Sequence, residues 1–166
     1  MKEKEYNREK GIIYAKKWAY SRNPAYYNFD SVGGDCTSFV SQCLYAGAEV
    51  MNYHKQNGWY YHSGNDKSPS WSGVEFFHQF LTHNKSVGPY GKQANILEIT
   101  KGDIAQISFN GEKFGHSLYI IDILGQIKTP ENILVATHTF DSYGRSIASY
   151  QYEKIRLIHI EGVRQW

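Results

Sequence analysis

This sequence of 166 residues has few cysteines, a small net charge and few long apolar runs. Its 18 basic and 16 acidic residues leave a formal net charge of +2, with no basic run or stripe. The electrostatic footprint of a nucleic-acid-binding protein is therefore missing. The charged start MKEKEYNREKG has no apolar run behind it that is long enough for a signal peptide or a membrane helix. We expect a soluble chain with no nucleic-acid partner and no membrane insertion.

The two cysteines, Cys36 and Cys43, are expected to be free thiols. Seven residues of helix separate them by about 10.5 Å along the axis, which is too far for a disulfide. The sequence has neither a C-x-x-C nor an H-E-x-x-H motif, so no metal site is indicated. We therefore look for chemistry that needs no metal and no organic cofactor.

The hydrophobic periodicity changes from helical to extended along the chain. Three helices are predicted: one within residues 5–21, one from Cys36, and one from a capping box at Ser72 and Glu75 to about Asn84, with Trp71 and Phe76 as its hydrophobic staple. Short apolar or alternating runs then predict five strands: ILEIT, DIAQISF, HSLYIIDI, ENILVAT and IRLIHI. Helices followed by strands indicate a single α+β domain over residues 1–166, with a mainly antiparallel sheet.

The stretch GGDCTSFVSQCLYAGA places Cys36 at the first turn of an amphipathic helix. Asp35 is a favourable N-cap residue, and a helix N-terminus stabilises both a thiolate and a developing oxyanion. Gly33 and Gly34 would let another chain approach the thiol closely. Against this interpretation, a free cysteine on an apolar helix face is usually a core residue. We assign that packing role to Cys43 and a nucleophilic role to Cys36.

A nucleophilic cysteine needs a histidine base that is oriented by a third group. His116 begins the run HSLYIIDI and His138 ends the run ENILVAT, so an antiparallel hairpin would bring them together. Pairing His116 with His138 places both on one face, and Asp141 is the alternative third residue. The other histidines are assigned solvated or packing roles: His54, His62, His78, His83 and, within a strand, His159.

The stretches NPAYYNF, GGDCTSFVSQCLYAGA, WYY and PSW resemble the bacterial amidase domain family, which is related to the papain-like cell-wall hydrolases of the NlpC and CHAP types. The resemblance implies a papain-like fold with the nucleophile helix packed on the sheet. It implies Cys36 as nucleophile, His116 as base, His138 in the third catalytic position, and Tyr26 as an oxyanion-site residue. It also implies hydrolysis of an amide or peptide bond, often in peptidoglycan, by a secreted or cell-wall-associated protein.

The expected mechanism is attack of a Cys36 thiolate, paired with the His116 imidazolium, on an amide carbonyl to give a thioester that water hydrolyses. An aromatic loop over residues 57–71 is expected either to wall a substrate groove or to pack locally. The groove residues would be Trp59, Tyr60, Tyr61 and Trp71. Two alternatives stay open: a transglutaminase-like acyl transferase, and a catalytically inactive module that binds cell wall or glycan. The bond cleaved and the oligomeric state are not predicted.

Overall fold

Helices fill the first half of the chain and strands the second half in the computed structural model, which describes residues 1–166. The helices are α1 (Arg8–Trp18), α2 (Cys36–Ala48), α3 (Pro69–Ser72) and α4 (Val74–His83). The strands are β1 (Lys2–Lys4), β2 (Tyr61–Ser63), β3 (Asp66–Lys67), β4 (Gly88–Ala94), β5 (Ile104–Ser108), β6 (His116–Ile123), β7 (Ile133–Thr137), β8 (Ser142–Ser146) and β9 (Lys154–Gln165). No helix combines the length and the apolar character needed to pass through a bilayer.

A seven-stranded antiparallel sheet forms the framework on which the helices pack. Its strand order is β1-β9-β5-β6-β7-β8, and β4 also pairs with β9. β9 has 12 residues, which pair with β4 over 157–164, with β5 over 154–158 and with β1 over 163–165. α2 packs mainly on α1 and β6. The predicted α+β class, with the cysteine helix on a mainly antiparallel sheet, is confirmed.

The helix α2 is buried on its polar face as well as on its apolar face. Phe39 and Leu44 belong to the main hydrophobic cluster. On the other face, the Ser41 hydroxyl donates a hydrogen bond to the Trp71 carbonyl at 2.8 Å. The Gln42 side-chain carbonyl accepts one from the Tyr14 hydroxyl at 2.6 Å. Buried polar groups need such partners, so the polar face of α2 marks contacts with neighbouring segments and not with solvent.

The aromatic segment 57–71 contributes its two tryptophans to the main hydrophobic cluster. Trp59 and Trp71 are 0% exposed, and their ring centroids lie 5.1 Å apart. The indole N–H groups donate to Ser41 and Ser38 of α2, at 3.0 and 3.2 Å. Tyr60 is also buried. For both tryptophans the alternative of local packing is the right one, because their rings cover the polar face of α2.

The predicted strand ILEIT is a turn. Leu97 is 72% exposed, and its main-chain N–H donates to the Asn95 side-chain carbonyl at 2.9 Å. An asparagine side chain that bonds two residues ahead along its own backbone favours a turn over a strand. The strand that occupies this part of the sheet is β4, whose sequence GPYGKQA has almost no apolar pattern and is held by pairing with β9.

The predicted capping box at Ser72 is wrong. Ser72 ends the short α3, and α4 begins at Val74 with Gly73 at its N-cap. Phe76 is 61% exposed and so forms no hydrophobic staple. The Glu75 carboxylate instead accepts a hydrogen bond from Arg156 on β9 at 2.9 Å. Glu75 therefore forms an ion pair with a residue of another element and does not take part in a capping box.

Candidate active site

Cys36 is the first residue of α2 and lies against the start of β6. Its Sγ atom is 3.9 Å from the carbonyl oxygen of Gly115 and 3.9 Å from the hydroxyl of Thr37. Gly115 is covalently joined to His116, the first residue of β6. The fold therefore places the Cys36 thiol beside the residue that precedes the predicted base, His116.

The second cysteine has the environment of a packing residue. Cys43 is 0% exposed within the main hydrophobic cluster, whereas Cys36 retains 7% exposure. Burial raises the pKa of the Cys43 thiol well above its ordinary value. Because the thiolate is the reactive form, Cys43 is the less reactive of the two.

The glycines before Cys36 are needed for their backbone angles. Gly33 has φ of 83° and Gly34 has φ of 95°, in a region that side chains with a Cβ atom rarely adopt. A Cβ atom on either residue would meet nothing within 4 Å. Their backbone angles shape the turn that ends at Asp35, and the predicted close approach of another chain at these glycines stays a prediction.

Asp35 occupies the N-cap position, but its side chain makes no capping hydrogen bond. One carboxylate oxygen accepts from the main-chain N–H of Phe29 at 2.9 Å, and the other contacts His138 at 2.6 Å. The main-chain N–H groups of Cys36, Thr37 and Ser38 have no acceptor within the protein. A helix N-terminus with free N–H groups beside a thiol has the donors that an oxyanion requires.

His138 is bound to Asp35 and to α1. Its Nδ1 atom is 2.6 Å from the Asp35 carboxylate, and its Nε2 atom is 2.8 Å from the carbonyl oxygen of Trp18. The carboxylate and the carbonyl are both hydrogen-bond acceptors, and together they fix the orientation of the ring. The ring also stacks on Phe39 of α2, with centroids 4.0 Å apart. His138 therefore fixes the turn in front of Cys36.

His116 has Thr139 as its ring partner. The His116 Nδ1 atom lies 3.0 Å from the Thr139 hydroxyl, and the Phe109 ring packs at 4.7 Å between centroids. No carboxylate contacts the ring. Burial consequently lowers the pKa of His116 from its ordinary value of 6.5, since desolvation disfavours the charged form.

The predicted contact between His116 and His138 is wrong because the hairpin register differs by one residue. Tyr119 pairs with Ala136, and a bulge between Ile120 and Asp122 shifts the pairing near the turn. Continuing this register places His116 opposite Thr139 and Ser117 opposite His138. A shift of one residue moves every side chain to the other face of the sheet. The bulge carries no mark in the alternating sequence pattern, so Thr139 was missed.

Asp141, the alternative third residue, also lies away from His116. Its two carboxylate oxygens accept hydrogen bonds from the Arg22 guanidinium, each at 3.0 Å. Arg22 further pairs with Asp30 at 3.0 Å and lies 3.6 Å from Asp35. This arginine joins three loop carboxylates around the turn before α2. The structure brings together no group of three or more His, Cys, Asp or Glu side chains that could hold a metal ion.

Tyr26 and Tyr61 lie with the aromatic core. The Tyr26 ring stacks on Trp71 with centroids 5.7 Å apart and tilts against Tyr61 at 5.0 Å. Burial raises the pKa of Tyr26 to about 12. The Tyr61 hydroxyl accepts a hydrogen bond from the Tyr27 N–H at 2.7 Å. Tyr26 makes no hydrogen bond to Cys36, and its predicted role in the oxyanion site stays a prediction.

Comparison with known proteins adds one family and one curated relative. Residues 5–160 match the model of the family described as "Putative amidase domain". The Bacillus subtilis (strain 168) protein described as "Uncharacterized protein YhbB" is 31% identical over 142 residues, which are 83% of this chain and 43% of that protein. The chain thus spans less than half the length of this relative. No solved structure matches.

Proposed function

Because the chain belongs to the amidase domain family, matched over residues 5–160, we propose that it hydrolyses an amide bond through a thiol mechanism. Cys36 is the proposed nucleophile and His116 the proposed base. The observation that carries the proposal is the position of the Cys36 thiol. It lies at a helix N-terminus with free N–H groups and 3.9 Å from the carbonyl of the residue before His116.

The proposed first step transfers the thiol proton of Cys36 to Nε2 of His116 while the sulfur bonds to the substrate carbonyl carbon. Nδ1 is held by Thr139, so Nε2 is the free nitrogen. The lowered pKa of His116 favours the neutral ring in the resting protein. This supports proton transfer during attack and departs from the preformed thiolate–imidazolium pair expected from sequence.

In the following steps the tetrahedral oxyanion is held by the N–H groups at the start of α2. The intermediate collapses as the carbon–nitrogen bond breaks and His116 returns its proton to the leaving amine. The thioester on Cys36 is then cleaved by water, with His116 again accepting a proton. The products are a carboxylic acid, an amine and the regenerated thiol.

We further propose a papain-like relationship to the NlpC and CHAP types, and a peptide or glycopeptide of the bacterial cell wall as substrate. The packing of the cysteine helix α2 on an antiparallel sheet supports the first part. Two partly exposed phenylalanines near His116 support a substrate with an apolar group: Phe109 contacts the His116 ring, and Phe140 follows Thr139.

Digestion of purified bacterial sacculi, followed by mass spectrometry of the soluble products, tests the proposal. The expected products carry new carboxylate and amine ends, and Cys36→Ala yields none of them. A parallel digestion contains an added primary amine. Products that carry this amine would identify an acyl transferase instead, and products that persist in Cys36→Ala would exclude the thiol mechanism.

A further inference from the structure

A cleft with a volume of about 580 Å³ is formed by the loop after α2 together with α3, α4 and the turn after α4. No residue that contacts Cys36, His116 or His138 lines this cleft. It is a separate site from the candidate active site.

The cleft is lined mostly by polar residues and is almost uncharged. Lys85 is its one charged residue with the histidines neutral, and no carboxylate lines it. The polar lining includes the amides of Gln56, Asn57 and Gln79. Phe76, which is 61% exposed, adds an aromatic ring. Uncharged hydrogen-bonding groups beside an exposed ring fit a neutral ligand with many hydroxyls and an apolar ring face.

Two histidines that line the cleft have opposite tautomers. Nδ1 of His54 accepts a hydrogen bond from the Asn57 main-chain N–H at 3.1 Å, so the hydrogen of the neutral ring is on Nε2. Nδ1 of His83 lies 3.1 Å from the Gln79 carbonyl, which only accepts, so Nε2 of that ring is an acceptor. A sugar hydroxyl both donates and accepts. The Nε2 atom of His54 can donate to such a hydroxyl, and the Nε2 atom of His83 can accept from one.

Several main-chain groups around the cleft are already paired, which disfavours a peptide ligand. Asn52 and Trp59 exchange both of their main-chain hydrogen bonds, at 2.9 and 2.7 Å. The Asn84 side chain donates to the carbonyls of Val87 and Pro89. Binding of a peptide as an added strand needs an unpaired strand edge. Recognition at this cleft has to use side chains.

We propose that this cleft binds a neutral oligosaccharide, with a sugar ring on Phe76 and hydroxyl groups on the amide and imidazole side chains. The inference does not depend on amide hydrolysis at Cys36. Binding would persist in a Cys36→Ala protein, so failure of the proposed function leaves this prediction intact and separately testable.

The test measures binding of chitotetraose, cellotetraose and maltotetraose to the Cys36→Ala chain by isothermal titration calorimetry and by NMR. We expect at least one sugar to bind, with an affinity that does not change with salt because the ligand is neutral. Phe76→Ala should weaken binding about fivefold or more. Asn57→Ala removes one of the amides that line the cleft and should also weaken binding. Both side chains are exposed, and thermal melting checks that the variants remain folded.

Phe140→Ala is the matched control, because Phe140 is equally exposed but lies beside the candidate active site. This variant should bind the sugar as tightly as its parent. Sugar binding that is lost in Phe140→Ala and kept in Phe76→Ala would place the ligand at the Cys36 site and overturn the proposal. Binding of none of the three sugars at millimolar concentration, or of a neutral tetrapeptide in their place, would also overturn it.

Discussion

Thr139 is the side chain that holds the His116 ring, with its hydroxyl 3.0 Å from Nδ1. A hydroxyl accepts a hydrogen bond from Nδ1–H in both the neutral ring and the imidazolium, so it can stay bonded through the proton transfers. We predict that Thr139→Val lowers kcat about tenfold to a hundredfold with little change in KM. Thr139→Ser keeps the hydroxyl and should retain most of the activity.

Steady-state kinetics of the two Thr139 variants make this comparison. If Thr139→Val and Thr139→Ser lose activity equally, keeping the hydroxyl makes no difference and the hydroxyl does not position the ring.

The pH dependence of the reaction follows from the environment of His116. The base must be neutral to accept the thiol proton, and burial holds the pKa of His116 below 6.5. Activity should therefore fall as the pH drops through this lowered value. Above pH 6.5 the ring is neutral, so protonation of His116 should not limit activity there. We predict an acidic limb of kcat/KM with a midpoint below 6.5, measured from about pH 4.5 to about pH 8. A midpoint above 6.5 would indicate a charged partner that stabilises the imidazolium.

The two thiols should differ in reactivity. Cys43 is 0% exposed and burial raises its pKa, whereas Cys36 lies at the helix N-terminus with some exposure. We predict that iodoacetamide near pH 6.5 modifies Cys36 much faster than Cys43, as measured by peptide mass spectrometry of the folded protein. Equal labelling of the two cysteines would contradict the assignment of Cys36 as the reactive thiol.

At the scale of the elements, the turn before α2 is held by the 2.6 Å contact between His138 and the Asp35 carboxylate. Each side chain is 2% exposed. Removal of the imidazole leaves the buried Asp35 side chain without one of its hydrogen-bond partners, although Arg22 and the Phe29 N–H remain near it. We predict that His138→Ala lowers the free energy of unfolding by about 2 kcal/mol or more.

Chemical denaturation measures this loss, and His62→Ala is the control because His62 is exposed. We expect His62→Ala to change the free energy of unfolding by less than about 0.5 kcal/mol. His138→Ala with unchanged stability would show that the pair does not hold the turn.

The sequence predicted the elements whose periodicity is strong. The helix at Cys36 begins at that residue, β6 matches the run HSLYIIDI, and both follow from regular apolar spacing. His159 was predicted to be structural, and its Nδ1 atom contacts the buried Asp103 carboxylate at 2.7 Å. The helix and the strand depend on local pattern alone, and there the pattern and the tertiary structure agree.

The features that the sequence did not predict depend on contacts between distant segments. β4 has no apolar pattern and exists through its pairing with β9. The two tryptophans are buried because α2 presents serine hydroxyls to their N–H groups. At the candidate site, the register of β6 and β7 makes Thr139, and not His138, the partner of His116. Local periodicity does not encode a bulge or a partner on another element.

At the scale of the whole molecule, the central claim is that Cys36 performs chemistry while Cys43 supports the core. The most direct measurement compares Cys36→Ala and Cys43→Ala with the unmodified chain, for soluble product release from bacterial sacculi and for thermal melting. We predict that Cys36→Ala releases no product and melts near the wild-type temperature. Cys43→Ala should release product and lose about 1 kcal/mol of stability. A folded Cys36→Ala protein that releases product at the wild-type rate would contradict the account.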